Sequence, residues 1–140
     1  MVVLDTNVLS EVLRPEPTLG VLNWLSRQPA NSVFTTAVTK GEILYGVRIL
    51  TDGQRRRKLW DAASEMFEED FAGRVLSFDG DAAAYYADIG ATRRAAGRPI
   101  SQFDATIAAI TRSHGATLAT RNTKDFEGCG IEILNPWDVE

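Results

Sequence analysis

Short apolar runs alternate with segments of helical periodicity along the chain. Val2–Leu4 is an unbroken apolar run that ends at polar residues, which is typical of a strand buried on both faces. Further short β-favouring runs predict the remaining strands. These runs are Val33–Thr36, Val75–Phe78, Thr117–Thr120 and Ile131–Leu134. Because strands and helices alternate, we predict one α/β domain over residues 1–140, with a central, mostly parallel sheet of four or five strands.

Apolar residues at helical spacing predict the segments between these strands. The predicted helices cover about residues 8–13, 18–27, 38–50, 55–71, 81–96 and 101–114. The third of them has an apolar stripe at Val38, Tyr45 and Ile49, and Glu42 interrupts it. One interpretation is a capping box, because Thr39-x-x-Glu42 has the spacing at which an acid bonds back to the helix start. The other is that Glu42 points inward, toward the strand ends.

The last predicted helix presents the same two interpretations. Its expected apolar side consists of Phe103, Ile107 and Ile110. Asp104 falls in its first turn, and Ser101-x-x-Asp104 again matches a capping box. Asp5 is likewise a good N-cap for the helix that follows the first strand. Each of these acids therefore has an ordinary structural explanation when it is considered alone.

Composition restricts the class of protein. The chain has 44% hydrophobic and 24% charged residues, both ordinary for a soluble globular domain. No stretch approaches the roughly 18 apolar residues of a membrane span, and the start lacks the features of a signal peptide. The single cysteine, Cys129, cannot form an intrachain disulfide. We therefore expect a cytoplasmic protein without membrane association.

Charge and residue counts restrict the chemistry. A net charge of −4 argues against a surface built as a whole to bind polyanions, although an acidic centre ringed by basic residues remains compatible with it. One histidine, His114, and one cysteine exclude an intrachain His/Cys zinc cluster. They also leave any Ser-His-Asp chemistry dependent on a single residue. Carboxylates are therefore the candidate catalytic groups.

The acidic residues share a position relative to the predicted elements. Asp5 and Asn122 follow predicted strands, while Glu42 and Asp104 lie in early turns of predicted helices. In a parallel sheet, strand carboxyl ends and the helix starts after them meet at one edge, where ligands bind. We therefore expect these residues to converge there, with Asp125 as a further candidate. Three caps that all fall on one edge are a weaker explanation than a shared site.

A cleft that contains several carboxylates needs a positive partner. Hard oxygen ligands select Mg²⁺ or Mn²⁺. Such a cation can activate water and stabilise charge on a phosphate during an in-line displacement. This chemistry requires no histidine, which agrees with the composition.

At these residues the sequence resembles the PIN-domain family, and more closely the VapC toxins of bacterial toxin–antitoxin pairs, including the FitB-like branch. The four motifs that carry the resemblance occur in order and span nearly the whole chain. They are Leu4-Asp5-Thr6-Asn7, Gly41-Glu42-Ile43-Leu44-Tyr45-Gly46, Ser101-Gln102-Phe103-Asp104-Ala105-Thr106-Ile107-Ala108-Ala109, and Thr120-Arg121-Asn122-Thr123-Lys124-Asp125-Phe126. Asp-Thr-Asn alone is a weak signal, whereas the ordered set is a strong one.

The resemblance implies a three-layer α/β/α sandwich and a Mg²⁺-dependent endoribonuclease, with Mn²⁺ as an alternative cation. It implies that Asp5 and Asp104 are the principal metal ligands and that Glu42 helps to hold or orient metal and water. The fourth acidic position is open, because some family members have Asp where this chain has Asn122. We assign Asp125 to it and treat Asn122 as a neutral neighbour.

The resemblance also implies which residues contact RNA, in single-stranded or looped form. The expected substrate-binding residues are Thr6, Asn7, Thr120, Arg121 and Asn122. Basic residues near them are candidates to bind the flanking phosphates, with ordinary surface charge as the alternative. They are Arg93, Arg94, Arg98, Arg121 and Lys124.

The implied partners are a cognate VapB-like antitoxin that covers the cleft and a second copy of the chain in a homodimer. A toxin–antitoxin hetero-oligomer would bind operator DNA through the antitoxin. One alternative is a PIN-like binding module that acts mainly within such a repressor complex. Another is a Mg²⁺-dependent phosphatase with Asp5 as nucleophile, although that chemistry usually requires a second acid where this chain has Asn7.

Overall fold

The computed structural model describes residues 1–139 and contains one five-stranded sheet. The strands are β1 (Val2–Leu4), β2 (Val33–Thr36), β3 (Val75–Leu76), β4 (Thr117–Ala119) and β5 (Glu132–Leu134). They pair in the order β3-β2-β1-β4-β5, and every pair is parallel. The predicted parallel sheet is therefore confirmed. Glu140, the last residue of the predicted domain, lies outside the described residues.

Six α-helices connect and cover these strands within residues 1–139. They are α1 (Thr6–Val12), α2 (Leu19–Ser26), α3 (Ala37–Arg48), α4 (Gln54–Glu65), α5 (Gly80–Ala95) and α6 (Gln102–Ser113). A π-helical turn at Met66–Asp70 follows α4, and a 3₁₀ turn at Thr123–Phe126 follows β4. No helix in the described residues 1–139 is long and apolar enough to cross a membrane.

The central strand β1 buries side chains on both faces of the sheet. Leu4 belongs to a core cluster that includes residues of α1, α2 and α3. Val3 points to the opposite face and belongs to a second cluster with residues of α5 and α6. Successive side chains of a strand alternate between its faces, so an unbroken apolar run requires cover on both. The predicted three-layer α/β/α arrangement is confirmed.

Two helices begin directly after their strands, which places their first turns at one edge of the sheet. Asp5 separates β1 from α1, and its backbone N–H still pairs with the carbonyl of Ala119 at 2.9 Å. Thr36 ends β2 and is also the N-cap of α3. Asp5 therefore lies at the carboxyl end of the central strand, between the ends of β2 and β4.

The predicted apolar stripe of α3 is wrong at Tyr45 and Ile49, which are 65% and 66% exposed. On α6 the prediction is confirmed for Ile107 and Ile110, which are buried, and wrong for Phe103, which is 61% exposed. The face of α3 that is buried contains Thr39, Ile43 and Val47, which follow an equally regular spacing. Because Thr39 is polar, the apolar pattern favoured the wrong side of the helix.

Two predicted boundaries also shift. The third strand is shorter than expected, because it ends at Leu76 and Phe78 is 45% exposed. Helix α4 ends at Glu65, and the π-helical turn occupies the rest of the segment that was expected to be α-helical.

Candidate active site

Asp5 is buried at the sheet edge and both of its carboxylate oxygens are engaged. Oδ1 accepts a hydrogen bond from the backbone N–H of Thr6 at 2.8 Å, so Asp5 caps α1 as one interpretation expected. Oδ2 accepts from the hydroxyl of Thr120 at 2.8 Å and from the side-chain amide of Asn7 at 3.3 Å. Capping therefore uses one oxygen and leaves the other directed toward β4.

Asn7 connects the segment after β1 with the segment after β4. Its amide nitrogen also donates to the Thr120 hydroxyl at 3.2 Å, and its Oδ1 accepts from the backbone N–H of Arg121 at 3.2 Å. The Thr120 hydroxyl additionally accepts from the backbone N–H of Asn122 at 3.1 Å. This network fixes the start of the β4–β5 connection against Asp5.

Glu42 faces the sheet edge and does not cap its helix. The hydroxyl of Thr6 donates to Oε1 of Glu42 at 3.0 Å and lies 3.1 Å from the Thr39 hydroxyl. The N-cap of α3 is Thr36, whose hydroxyl accepts from the backbone N–H of Thr39 at 3.1 Å. The proposed Thr39-x-x-Glu42 capping box is therefore wrong, because the helix begins before Thr39.

Asp104 lies in the first turn of α6 and is partly exposed. Ser101 is the N-cap, and its hydroxyl accepts from the backbone N–H of Asp104 at 3.2 Å. The Ser101 half of the predicted capping box is confirmed. The same cap holds Asp104 at the start of the helix, where it lines a pocket together with Asp5.

Residues from all four motifs line one open pocket of about 470 Å³. The acidic members are Asp5, Glu42 and Asp104, which come from three separate segments of the chain, together with Glu11. The other members are Thr6, Asn7, Ser10, Arg14, Arg121, Asn122 and Trp137. The expected convergence at the carboxyl edge of the sheet is therefore observed.

Asp125 lies beside this pocket. It lines a neighbouring hollow of about 300 Å³ together with Arg121, Asn122 and Lys124. Its negative charge nevertheless raises the pKa of Asp104. Of the two candidates for the fourth position, Asn122 lines the acidic pocket and Asp125 acts on Asp104 from the adjacent hollow. The role of Asp125 as a metal ligand stays a prediction.

The negative charges of the pocket repel each other. Burial raises the pKa of Asp5 to about 6, against hydrogen bonds from Thr120 and Thr6 that lower it, and the charges of Asp104 and Glu42 raise it further. Burial is also the main reason why the pKa of Asp104 is raised. The ionised pocket is therefore destabilised until something positive joins it.

The donor set fits a cation that keeps much of its water. No three Asp, Glu, His or Cys side chains in residues 1–139 lie close enough together to form a complete metal-binding group. Mg²⁺ is usually held by only one or two carboxylates and retains several waters. Asp5 and Asp104 supply two such carboxylates in one open pocket, so the residues fit Mg²⁺ without a closed protein cage.

The predicted phosphate-binding role is wrong for Arg93. Its side chain is only 7% exposed, and it donates to the backbone carbonyls of Arg98, Asp125 and Glu127 at 2.7, 2.8 and 3.0 Å. Arg98 forms an ion pair with Glu127 at 3.1 Å. Arg94, Arg121 and Lys124 are exposed, which is compatible with the prediction for them.

The sequence interpretation missed four members of the pocket: Ser10, Glu11, Arg14 and Trp137. Helical spacing could have revealed three of them. Ser10 and Arg14 follow Thr6 at steps of four residues, and Glu11 follows Asn7 at the same step. Trp137 carried no comparable signal, because only the turn after β5 brings it to the pocket.

These features define an α/β/α protein with an acidic pocket at the carboxyl edge of its central strand. The pattern of the PIN domain matches residues 2–128, and the chain belongs to the PIN-domain family.

Similar proteins cover nearly the whole length of the chain. It is 39% identical over 138 residues to the VapC ribonuclease Y4jK of Sinorhizobium fredii, with 99% of each chain covered. It is 38% identical over 137 residues to the toxin FitB of Neisseria gonorrhoeae, with 98% of this chain and 99% of FitB covered. A structure of FitAB bound to an IR36 DNA fragment matches with a TM-score of 0.94 at 38% identity, covering 100% of this chain and 98% of that one.

Proposed function

We propose that this protein is a Mg²⁺-dependent endoribonuclease toxin that hydrolyses RNA phosphodiester bonds and is neutralised by a cognate antitoxin. The observation that carries the proposal is the placement of Asp5, Glu42 and Asp104 in one open pocket. The similarity to a VapC ribonuclease and to the toxin FitB supports the same activity. The proposal extends to a cytoplasmic location, where RNA substrates are present.

In this mechanism Asp5 and Asp104 hold Mg²⁺, and Mn²⁺ is an alternative ion. When bound, the cation supplies activation of water and stabilisation of the charge that develops on the phosphate. Glu42 orients water in the pocket, because the hydroxyl of Thr6 fixes its carboxylate at 3.0 Å. Asp125 is the fourth acid and acts next to Asp104.

The polar residues of the pocket hold the acids and the substrate. Thr120 and Asn7 donate to the same oxygen of Asp5, which keeps its carboxylate in one orientation. Arg121 and Asn122 lie at the exposed rim, where they can contact the RNA. An unpaired strand can enter such an open pocket more readily than a duplex can.

A larger groove of about 620 Å³ adjoins the pocket and shares four residues with it: Thr6, Ser10, Arg14 and Glu42. Its lining includes apolar residues of α3 and α4, namely Ile43, Val47 and Leu59. The exposed residues Arg55 and Lys58 line it as well. We propose that a segment of a VapB-like antitoxin binds in this groove and covers the acidic pocket. The proposal also includes a homodimer and a toxin–antitoxin hetero-oligomer that binds operator DNA through the antitoxin.

The decisive experiment is cleavage of a mixed RNA pool by antitoxin-free protein, with Mg²⁺ or with EDTA. We expect cleavage with Mg²⁺ only, and loss of cleavage in Asp5→Asn. Asp61→Asn is the matched control, because Asp61 is an exposed acid on α4 that does not line the pocket. Equal cleavage by wild type and Asp5→Asn would remove Asp5 from the mechanism.

The second candidate is a binding module that acts mainly in a DNA-bound repressor complex. The similarity to FitAB bound to a DNA fragment favours it. Folded, Mg²⁺-loaded protein that binds operator DNA with its antitoxin but cleaves no RNA would support this alternative. The phosphatase hypothesis is disfavoured, because that chemistry usually requires a second acid at the position of Asn7. Asn7 instead donates its side-chain amide to Asp5, which a carboxylate could not do.

A further inference from the structure

One cationic side chain at the rim of the acidic pocket rests on an aromatic ring. The guanidinium carbon of Arg121 lies 4.9 Å from the centre of the Trp137 ring. Both residues line the pocket that contains Asp5 and Asp104. A planar cation over an aromatic ring is therefore present beside the carboxylates.

The two partners are anchored independently of each other. The backbone N–H of Arg121 donates to Oδ1 of Asn7 at 3.2 Å. The backbone N–H of Trp137 donates to Oδ1 of Asn135 at 2.9 Å, and Asn135 donates to Asp138 at 3.2 Å. The Trp137 side chain also packs against the core cluster on one face of the sheet. The Trp137 ring therefore has a fixed position, and the guanidinium of Arg121 lies over it.

Arg121 remains available to a ligand. It is exposed, and no carboxylate in residues 1–139 forms an ion pair with it. The other arginine of the pocket, Arg14, is engaged by Glu11, with distances of 3.2 and 3.3 Å between Nη1 and the two carboxylate oxygens. Within the described part of the chain, the charge of Arg121 thus has no carboxylate partner, whereas that of Arg14 does.

We propose that Arg121 and Trp137 form a nucleobase subsite, in which an unpaired base next to the scissile phosphodiester stacks on this pair. Single-stranded RNA is commonly bound by stacking of its bases on aromatic rings and on arginine guanidinium planes. A site for the phosphate alone needs positive charge but no ring beneath it. The subsite rests on the proposed function, because it assumes that RNA occupies the acidic pocket.

The test measures binding separately from cleavage. Short RNA that carries 2-aminopurine is titrated into Asp5→Asn protein in EDTA, because 2-aminopurine loses fluorescence when it stacks. We expect quenching on binding, and an affinity lower by about tenfold in Arg121→Lys and in Trp137→Leu, each made in the Asp5→Asn background. RNA with an abasic residue at the same position should bind both variants and the Asp5→Asn parent with similar affinity.

Arg48 and Trp60 provide a matched control pair. The guanidinium carbon of Arg48 lies 5.4 Å from the centre of the Trp60 ring, and neither residue lines the pocket. Arg48→Lys and Trp60→Leu should leave affinity and quenching unchanged. Arg121→Lys keeps the positive charge at an exposed position, so it provides a test even if Trp137→Leu fails to fold.

The outcomes separate this proposal from the nuclease activity. Full affinity and quenching in Arg121→Lys, together with loss in Arg121→Ala, would show a simple phosphate contact and overturn the subsite. Wild-type protein that cleaves RNA with Mg²⁺ while the parent shows no quenching would overturn the subsite alone. If the Asp5→Asn parent quenches 2-aminopurine fluorescence but wild-type protein cleaves no RNA, the subsite is supported and the proposed nuclease activity is rejected.

Discussion

The buried guanidinium of Arg93 donates a hydrogen bond of 2.8 Å to the backbone carbonyl of Asp125. It also donates to the carbonyls of Glu127 and Arg98, so one side chain of α5 holds two separate loops. The turn that carries Asp125 is thereby fixed in place next to the start of α6. A charge that the sequence suggested for RNA binding serves to position Asp125, the predicted fourth acid of the site.

Arg93→Met should destabilise the protein by about 2–4 kcal/mol, because it removes the buried guanidinium that donates to three backbone carbonyls. Arg93→Lys should recover only part of the loss, since one ammonium group cannot reach all three carbonyls with the same geometry. Urea unfolding measures both effects. Arg94→Met is the control, because Arg94 is exposed on the same helix. Equal midpoints for wild type and Arg93→Met would contradict this role.

The contribution of Asp5 to the stability of metal-free protein should fall as the pH rises through the interval between 3.8 and about 6, the ordinary and the raised pKa of Asp5. In that interval the folded state binds more protons at Asp5 than the unfolded state does, so the free energy of unfolding falls with increasing pH. The full effect is about 3 kcal/mol. Urea unfolding in EDTA, compared between wild type and Asp5→Asn, measures it. If the difference in free energy of unfolding between wild type and Asp5→Asn does not change with pH, the raised pKa of Asp5 is contradicted.

Stabilisation by Mg²⁺ should have the opposite pH dependence. The cation requires ionised carboxylates, and the Asp5 carboxyl ionises around pH 6. The increase in Tm on adding Mg²⁺ should therefore be small below this pH and grow above it. Asp61→Asn should keep the increase and Asp5→Asn should lose it. An increase that persists in Asp5→Asn would place the cation elsewhere.

The position of Asp5 could be predicted from the sequence because the apolar run Val2–Leu4 requires a strand buried on both faces. Its parallel neighbours then determine which edge carries the residues that follow. Ser101 was predictable for a similar reason, because capping depends on a few adjacent residues. In both cases local chemistry and the overall topology favour the same structure.

Glu42 and Arg93 required the structure. Several threonines surround the end of β2, and the sequence does not reveal that Thr36, and not Thr39, caps α3. The direction of Glu42 depends on that choice. Arg93 looked like surface charge, because two of its three carbonyl partners are more than 30 residues away and leave no signal in the sequence.

Thr6→Val should lower the rate of RNA cleavage by about tenfold or more. The change removes the hydroxyl that donates to Glu42 at 3.0 Å, and a hydrogen bond to a charged group contributes about 1.5–3 kcal/mol. Thr6→Ser should keep most of the rate, because it retains the hydroxyl. Single-turnover cleavage at saturating Mg²⁺ measures the chemical step. Equal rates for Thr6→Val and Thr6→Ser would show that this bond does not orient Glu42 for catalysis.

Asn122 and Asp125 can be separated by exchanging their charge. Asn122 lines the acidic pocket, so Asn122→Asp should place another carboxylate there and lower the Mg²⁺ concentration needed for half-maximal cleavage. The charge of Asp125 raises the pKa of Asp104, so Asp125→Asn should move the acidic limb of the rate profile to lower pH.

The same experiment distinguishes a supporting acid from a principal ligand. Because Asp125 lines the adjacent hollow, Asp125→Asn should reduce cleavage less than Asp104→Asn does. Profiles of cleavage rate against pH and Mg²⁺ concentration for the three variants provide the comparison. If Asp125→Asn abolishes cleavage as completely as Asp104→Asn, Asp125 must approach the cation directly, and the turn that carries it must move toward the pocket when the cation binds.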